Sequence, residues 1–169
     1  MATITHKEIM LKLEGNVPTV GQLAPDFTGV LSDLKEVSLY QSTAKVKVLL
    51  PLPSLDTGTC AKETRRFNEL LDQRPNLAAW VISMDLPFAM RRFCELEGIK
   101  NVTALSDFRS KEFGAKYGMF IAEGAMRGLH ARAVFVLDQD NVIRHIELVE
   151  DLGAEPNYEA ALKAIDALM

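Results

Sequence analysis

Apolar residues in this chain gather into short dense runs, separated by breaks rich in Gly, Pro, Asn and Asp. Lys45 to Leu52 is too uniformly apolar for a strand with one wet face and predicts a buried strand. Leu77 to Ser83 predicts a second of the same kind. Between them Cys60, Thr64, Phe67 and Leu71 fall on one stripe at helical spacing, predicting a helix from Cys60 to about Gln73. After the second run, Asp85 reads as an N-cap and Pro87 as a first-turn residue of a helix reaching Glu97. Gly98 is placed to stop it.

The flanks are lighter in pattern. Ile9 to Leu13 and Val17 to Val20 predict a hairpin turned at Gly15-Asn16. Gly21 to Phe27 reads as a loop and Val37 to Leu39 as a short strand. Val102 to Leu105 predicts a short strand, and Arg109 to Tyr117 a short helix. Ala131 to Leu137 and Val142 to Val149 predict strands joined by an Asp138–Asn141 turn. Tyr158, Ala161, Leu162, Ile165 and Leu168 give a closing helix its apolar stripe. Two strand–helix units followed by a hairpin and a helix predict an α/β layered domain, with helices on both faces of a mixed sheet. The order matches a thioredoxin-like core preceded by an N-terminal β-hairpin over about residues 1–20, all in one domain spanning 1–169. Fold alone does not give function.

At 169 residues, 48% hydrophobic and 25% charged, the chain can build a core without disulfide staples or a structural metal. Lys+Arg 19 against Asp+Glu 23 gives a net charge of −4, which argues against nucleic acid or an anionic membrane surface as partner. The N-terminus carries charges early and lacks a signal-peptide core, and no stretch approaches the ~18 apolar residues of a membrane span. These features predict a cytoplasmic protein. In that reducing compartment, two cysteines point to catalysis or redox sensing rather than to a permanent staple.

The first cysteine lies in Pro53-Ser-Leu-Asp-Thr57-Gly-Thr-Cys60, directly after the first buried strand. A thiol at a helix start meets unpaired backbone N–H groups and the positive end of the helix dipole, which favour a negative sulfur. Placement alone favours a small packed cysteine over a nucleophile, with Thr57 as a cap and Pro53 as a strand terminator. Those separate readings leave unexplained why three such residues converge on one thiol. Arg132 interrupts the apolar strand Ala-Arg-Ala-Val-Phe-Val; it needs either a buried partner or an edge position facing water. Cys94, beside Phe93 on the second predicted helix, reads by itself as core.

Other chemistry is sparse. His6, His130 and His145 are scattered, and no Cys/His spacing suits zinc or an iron–sulfur cluster. There is no Cys-x-x-Cys, phosphate loop or dinucleotide fingerprint. Arg65-Arg66 and Arg91-Arg92 read as solvated helix faces. Met84, Phe88, Met90, Phe93 and Met119 either border an apolar pocket or fill the core.

Pro53-x-x-x-Thr57-x-x-Cys60 resembles the active-site signature of peroxiredoxins. The wider string, with Thr64-Arg-Arg-Phe-Asn68, Asp85-Leu-Pro-Phe-Ala89, Arg92-Phe-Cys94, Leu105-Ser-Asp-Phe-Arg109, Ala131-Arg-Ala-Val134 and Glu155-Pro-Asn-Tyr-Glu-Ala-Ala161, is similar to the bacterial thiol peroxidases, atypical two-cysteine members of that family. The resemblance runs from about Gly15 to the C-terminus. It departs at Pro51, where relatives usually carry an aromatic residue or Asn, a change that bears on pocket shape.

The resemblance implies that Cys60 is the peroxidatic thiolate, attacking the peroxide and becoming a sulfenic acid. Thr57 would share its hydroxyl between sulfur and peroxide, Pro53 would shield the sulfur from water, and Arg132 would stabilise both thiolate and transition state. It further implies that Cys94 is the resolving cysteine, closing a Cys60–Cys94 disulfide that thioredoxin reduces, with no metal or organic cofactor and in a homodimer. A disulfide needs Cα atoms within about 7 Å, so two cysteines on separate helices must unwind locally to meet. Two rivals remain open: a redox sensor or partner-binding protein using the same thiol switch, and a general thiol–disulfide oxidoreductase, against which the lack of Cys-x-x-Cys argues.

Overall fold

The structure is a computed structural model that describes residues 2–169. Nine strands and four α-helices follow one another as β1 Thr3–His6, β2 Ile9–Lys12, β3 Thr28–Leu31, β4 Glu36–Ser38, β5 Val46–Pro51, α1 Gly58–Leu70, β6 Leu77–Ser83, α2 Pro87–Glu97, β7 Thr103–Ser106, α3 Glu112–Tyr117, β8 Ala133–Leu137, β9 Ile143–Leu148 and α4 Tyr158–Asp166. Seven strands form one mixed sheet in the order β4-β3-β7-β6-β5-β8-β9, and β1-β2 make a separate two-stranded hairpin.

β5, β6 and β7 run parallel through the crossovers α1 and α2, whereas β8 returns antiparallel along β5 and β9 folds back on β8. The pleat sorts side chains by parity. Val46, Val48 and Leu50 of β5, with Val81 of β6 and Val134 and Val136 of β8, join Phe67 of α1, Met90 of α2 and Ala161 and Ile165 of α4 in one core cluster. Leu49, Ile82 and Phe135 face the other way, onto Phe113 and Tyr117 of α3 and onto Ile4 and Leu11 of the hairpin. Both faces of the central strands are therefore covered, which is why their sequences lack alternation.

Lys47 lies within this buried run. Its amine reaches past the sheet end to Asn141 Oδ1 at 2.6 Å and so braces the β8–β9 turn, and burial holds its pKa below the ordinary lysine value. Among the described residues no helix is long and apolar enough to cross a membrane.

Three predicted features differ and one strand is new. The N-terminal hairpin lies one strand earlier than expected, pairing Thr3–His6 with Ile9–Lys12. Its turn is Lys7-Glu8, both left-handed (φ 50° and 67°), as a two-residue hairpin turn requires. Val17–Val20 forms no strand. β3 was not predicted, and Gly29 within it is needed there, since a Cβ would come within 2.4 Å of the Leu105 side chain. Asp85 does not cap α2, whose N-cap is Leu86. The helix stop at Gly98 stands as expected, with left-handed φ 63°.

Gly118 ends α3 in the left-handed region (φ 66°), where a Cβ would lie 2.6 Å from the Asn16 carbonyl carbon. Gly118→Ala combines that backbone clash with left-handed strain and is expected to lower unfolding free energy by roughly 2–4 kcal/mol. Urea denaturation measures it; a change below about 1 kcal/mol would contradict this packing.

Candidate active site

The end of β5 delivers the chain into Pro53–Thr57 and then α1. Thr57 is the N-cap in extended conformation, and its side chain makes no cap bond, so the first-turn N–H groups keep no side-chain acceptor. Cys60 occupies the third helical position and is fully buried. Its sulfur faces β8 because Arg132, two residues before Val134, shares the parity that points toward α1.

Arg132 Nη1 lies 3.4 Å from Cys60 Sγ. The same nitrogen donates to Glu63 Oε2 at 2.6 Å, and Nη2 donates to the Leu152 carbonyl at 2.9 Å. The arginine is 2% exposed and Glu63 is fully buried. The buried-partner alternative for Arg132 is the one the structure contains. Glu63 was not singled out from the sequence, although Cys60-x-x-Glu63 places both on one helix face at i, i+3.

Thr57 and Pro53 lie in the segment that joins β5 to α1, ahead of Cys60 in the chain. The Thr57 hydroxyl donates to the Ser54 carbonyl at 2.9 Å, which leaves its oxygen free to accept from another donor. Pro53 is buried. Cys94 is elsewhere: it lies on α2, half-buried at the edge of the same core cluster, and both cysteines are free thiols. Burial pushes the Cys94 thiol above its ordinary pKa. A groove between α1 and α2 is lined by Leu55, Thr57, Ala61, Arg92, Phe93 and Leu96 and runs from the Cys60 turn to the Cys94 helix.

Several expected residues do not converge here. Met90 and Met119 are core, on opposite sides of the sheet, while Phe88 is exposed, so no single apolar pocket unites them. Arg65 bridges helices through Glu97 at 3.4 Å, and Arg66 and Arg91 pair along their own helices. His130 is buried against Asp107 at 2.9 Å, on the face away from Cys60.

The family model described as Redoxin matches residues 19–162. The chain belongs to the redoxin family. This redoxin is 46% identical to the thiol peroxidase of Leptospira interrogans serogroup Icterohaemorrhagiae serovar copenhageni, over all of both chains. It is 44% identical to the thiol peroxidase of Helicobacter pylori (strain ATCC 700392 / 26695), over 98% of this chain and 99% of that one. A solved peroxiredoxin-like protein from Aquifex aeolicus superposes with a TM-score of 0.95 at 40% identity, covering 99% of this redoxin and 97% of that chain. The thiol peroxidase from Chromobacterium violaceum shares the fold, with a TM-score of 0.89 at 24% identity over 98% and 95% of the two chains.

The charge arrangement carries a pH signature. Arg132 is held cationic above its ordinary value; burial opposes this, but the Glu63 carboxylate and the Cys60 sulfur outweigh it. Burial pushes the Glu63 carboxyl from 4.5 up to about 7 against the pull of Arg132, with Glu147 and Glu155 adding repulsion. Its Oε1 has no hydrogen-bond partner, which leaves the charged form poorly compensated. The folded protein thus holds a proton that the unfolded chain releases. Stability from this group is full below pH 4.5 and is lost as pH rises through about 7. Relative to Glu63→Gln, the wild type should lose roughly 3 kcal/mol across that window in urea titrations. Parallel pH profiles for the two proteins would contradict it.

Proposed function

We propose that this thiol peroxidase reduces hydroperoxides through Cys60, with Cys94 completing the cycle. The observation that carries the reading is the guanidinium of Arg132 at 3.4 Å from a buried cysteine sulfur at a helix start. The Cys60 thiolate attacks the terminal peroxide oxygen; an S–O bond forms as the O–O bond breaks, and sulfur loses two electrons. The departing alkoxide or hydroxide is stabilised by Arg132 and leaves as alcohol or water after taking a proton. The Thr57 oxygen accepts from the peroxide O–H and orients it, and Pro53 keeps bulk water off the sulfur.

The resulting Cys60 sulfenic acid is attacked by the Cys94 thiolate; the S–S bond forms as the S–O bond breaks, and the hydroxide released takes up a proton from solvent to leave as water. The two sulfurs sit on α1 and α2 as separate free thiols, so this step requires local unwinding of the first turn of α1, of α2, or of both. Unwinding also exposes Cys94 and removes the burial that disfavours its thiolate. A dithiol protein reduces the disulfide through a mixed disulfide, and thioredoxin is the reductant this reading assigns. Residues 1–169 act as one domain in a cytoplasmic homodimer, with no metal or organic cofactor in the cycle.

Stopped-flow reaction with peroxide tests the two cysteine roles separately. Cys60→Ser should abolish the first oxidation. Cys94→Ser should keep one stoichiometric oxidation yet lose thioredoxin-driven turnover. Equal activity in wild type and both variants would end the proposal.

A further inference from the structure

Asp85 is free of the helix-capping duty its sequence position suggests, and its carboxylate is instead spent on the loop that carries Cys60. Oδ1 accepts from the Ser54 hydroxyl at 2.7 Å, and Oδ2 accepts from the Leu55 backbone N–H at 2.8 Å and from the Ser83 hydroxyl at 2.6 Å. The Asp85 carbonyl accepts from the Ser106 hydroxyl at 2.5 Å. One residue thereby ties the loop after β5 to the C-terminal ends of β6 and β7, and Ser83 and Ser106 are themselves buried. Three donors on one carboxylate, two of them from the segment just before Thr57, form a rigid clamp rather than a solvated turn.

Ser54 carries that clamp to the reacting groups. Its hydroxyl, held by Asp85, also accepts from the Asp56 N–H at 3.1 Å. Its carbonyl accepts from both the Thr57 N–H at 3.1 Å and the Thr57 hydroxyl at 2.9 Å. The Thr57 carbonyl then accepts the Ala61 N–H at 3.0 Å, the bond that starts the helix holding Cys60. The path Asp85–Ser54–Thr57 is thus continuous from the C-terminal end of β6 to the N-cap of α1. Asp85 itself lies before Pro87, outside α2, so α2 can unwind with Cys94 while the clamp stays closed.

We propose that Asp85 is a positioning residue for peroxide reduction, holding Thr57 and the first turn of α1 in register with Arg132 through Ser54. It acts on the attack of Cys60 on peroxide and not on the later closure of the disulfide, for which α2 can unwind around Cys94 with the clamp intact. The inference rests on Cys60 being the peroxide-reactive thiol.

Rapid-quench reaction with hydrogen peroxide, read by alkylation and mass spectrometry, resolves Cys60 sulfenate formation from disulfide formation in one experiment. Asp85→Ala should slow sulfenate formation roughly 10- to 100-fold, the usual cost of a small misplacement of reacting groups. Disulfide closure should be unslowed. Ser54→Ala should show the same split more weakly. Asp85→Asn, which keeps an acceptor for Leu55 and Ser83, should recover part of the lost rate. Wild-type sulfenate formation in Asp85→Ala, or equal slowing of both steps, would overturn the proposal. If Asp85→Ala does not fold, Ser54→Ala decides: a selective loss in the first step supports the clamp, and no loss refutes it. Peroxide oxidation persisting in Cys60→Ser would instead sink the underlying reading, whatever the Asp85 variants do.

Discussion

A guanidinium buried between a thiol and a carboxylate sets the terms for the rest of this structure. Taking an arginine out of water costs several kcal/mol unless opposite charge and hydrogen bonds replace its hydration. Arg132 meets much of that demand with Glu63 at 2.6 Å, the Leu152 carbonyl at 2.9 Å and the Cys60 sulfur at 3.4 Å, while its Nε has no partner. Glu63 satisfies the ion only in part, since it lies 2.6 Å from the same nitrogen that faces the sulfur and its own second oxygen is unpartnered. A proton on Glu63 removes the negative charge that competes with the sulfur for the same arginine nitrogen.

The fold supplies the precision. Arg132 is aimed by strand parity one residue ahead of β8, and its carbonyl still accepts the Val149 N–H at 3.0 Å, continuing the β8–β9 ladder. Cys60 is aimed by the first turn of α1, which Thr59 fastens to the Gly153 carbonyl at 3.2 Å and Lys62 to Glu155 at 3.3 Å. The groups on opposite sides of the sulfur thus come from segments far apart in sequence that share one end of the sheet. Cys94 stands on a helix whose outer face is exposed at Phe88 and Leu96.

Much of this was legible in the chain, and the failures have physical causes. Uniform apolar runs located β5 and β6, and Gly98 located the end of α2, because those signals are local. The hairpin was misplaced because Gly15-Asn16 looks like a turn, whereas Lys7-Glu8 adopts left-handed geometry without a glycine to announce it. Asp85 two residues before Pro87 has the spacing of a cap, yet donors arriving from residues 54 and 55 claim its oxygens, a contact no local pattern encodes. Arg132 stood out because a charge in an apolar strand is costly wherever it lies. Glu63 did not, because a glutamate on a helix is ordinary until its burial is known.

The most direct measurement is the second-order rate constant for oxidation of Cys60 by peroxide in Arg132→Lys beside wild type. Lysine keeps the positive charge but has one nitrogen, which cannot serve the sulfur, Glu63 and the Leu152 carbonyl from their observed positions. The account predicts a fall of roughly 100-fold or more, with the fold intact by circular dichroism. A folded variant whose Cys60 reacts within about twofold of the wild-type rate would contradict it.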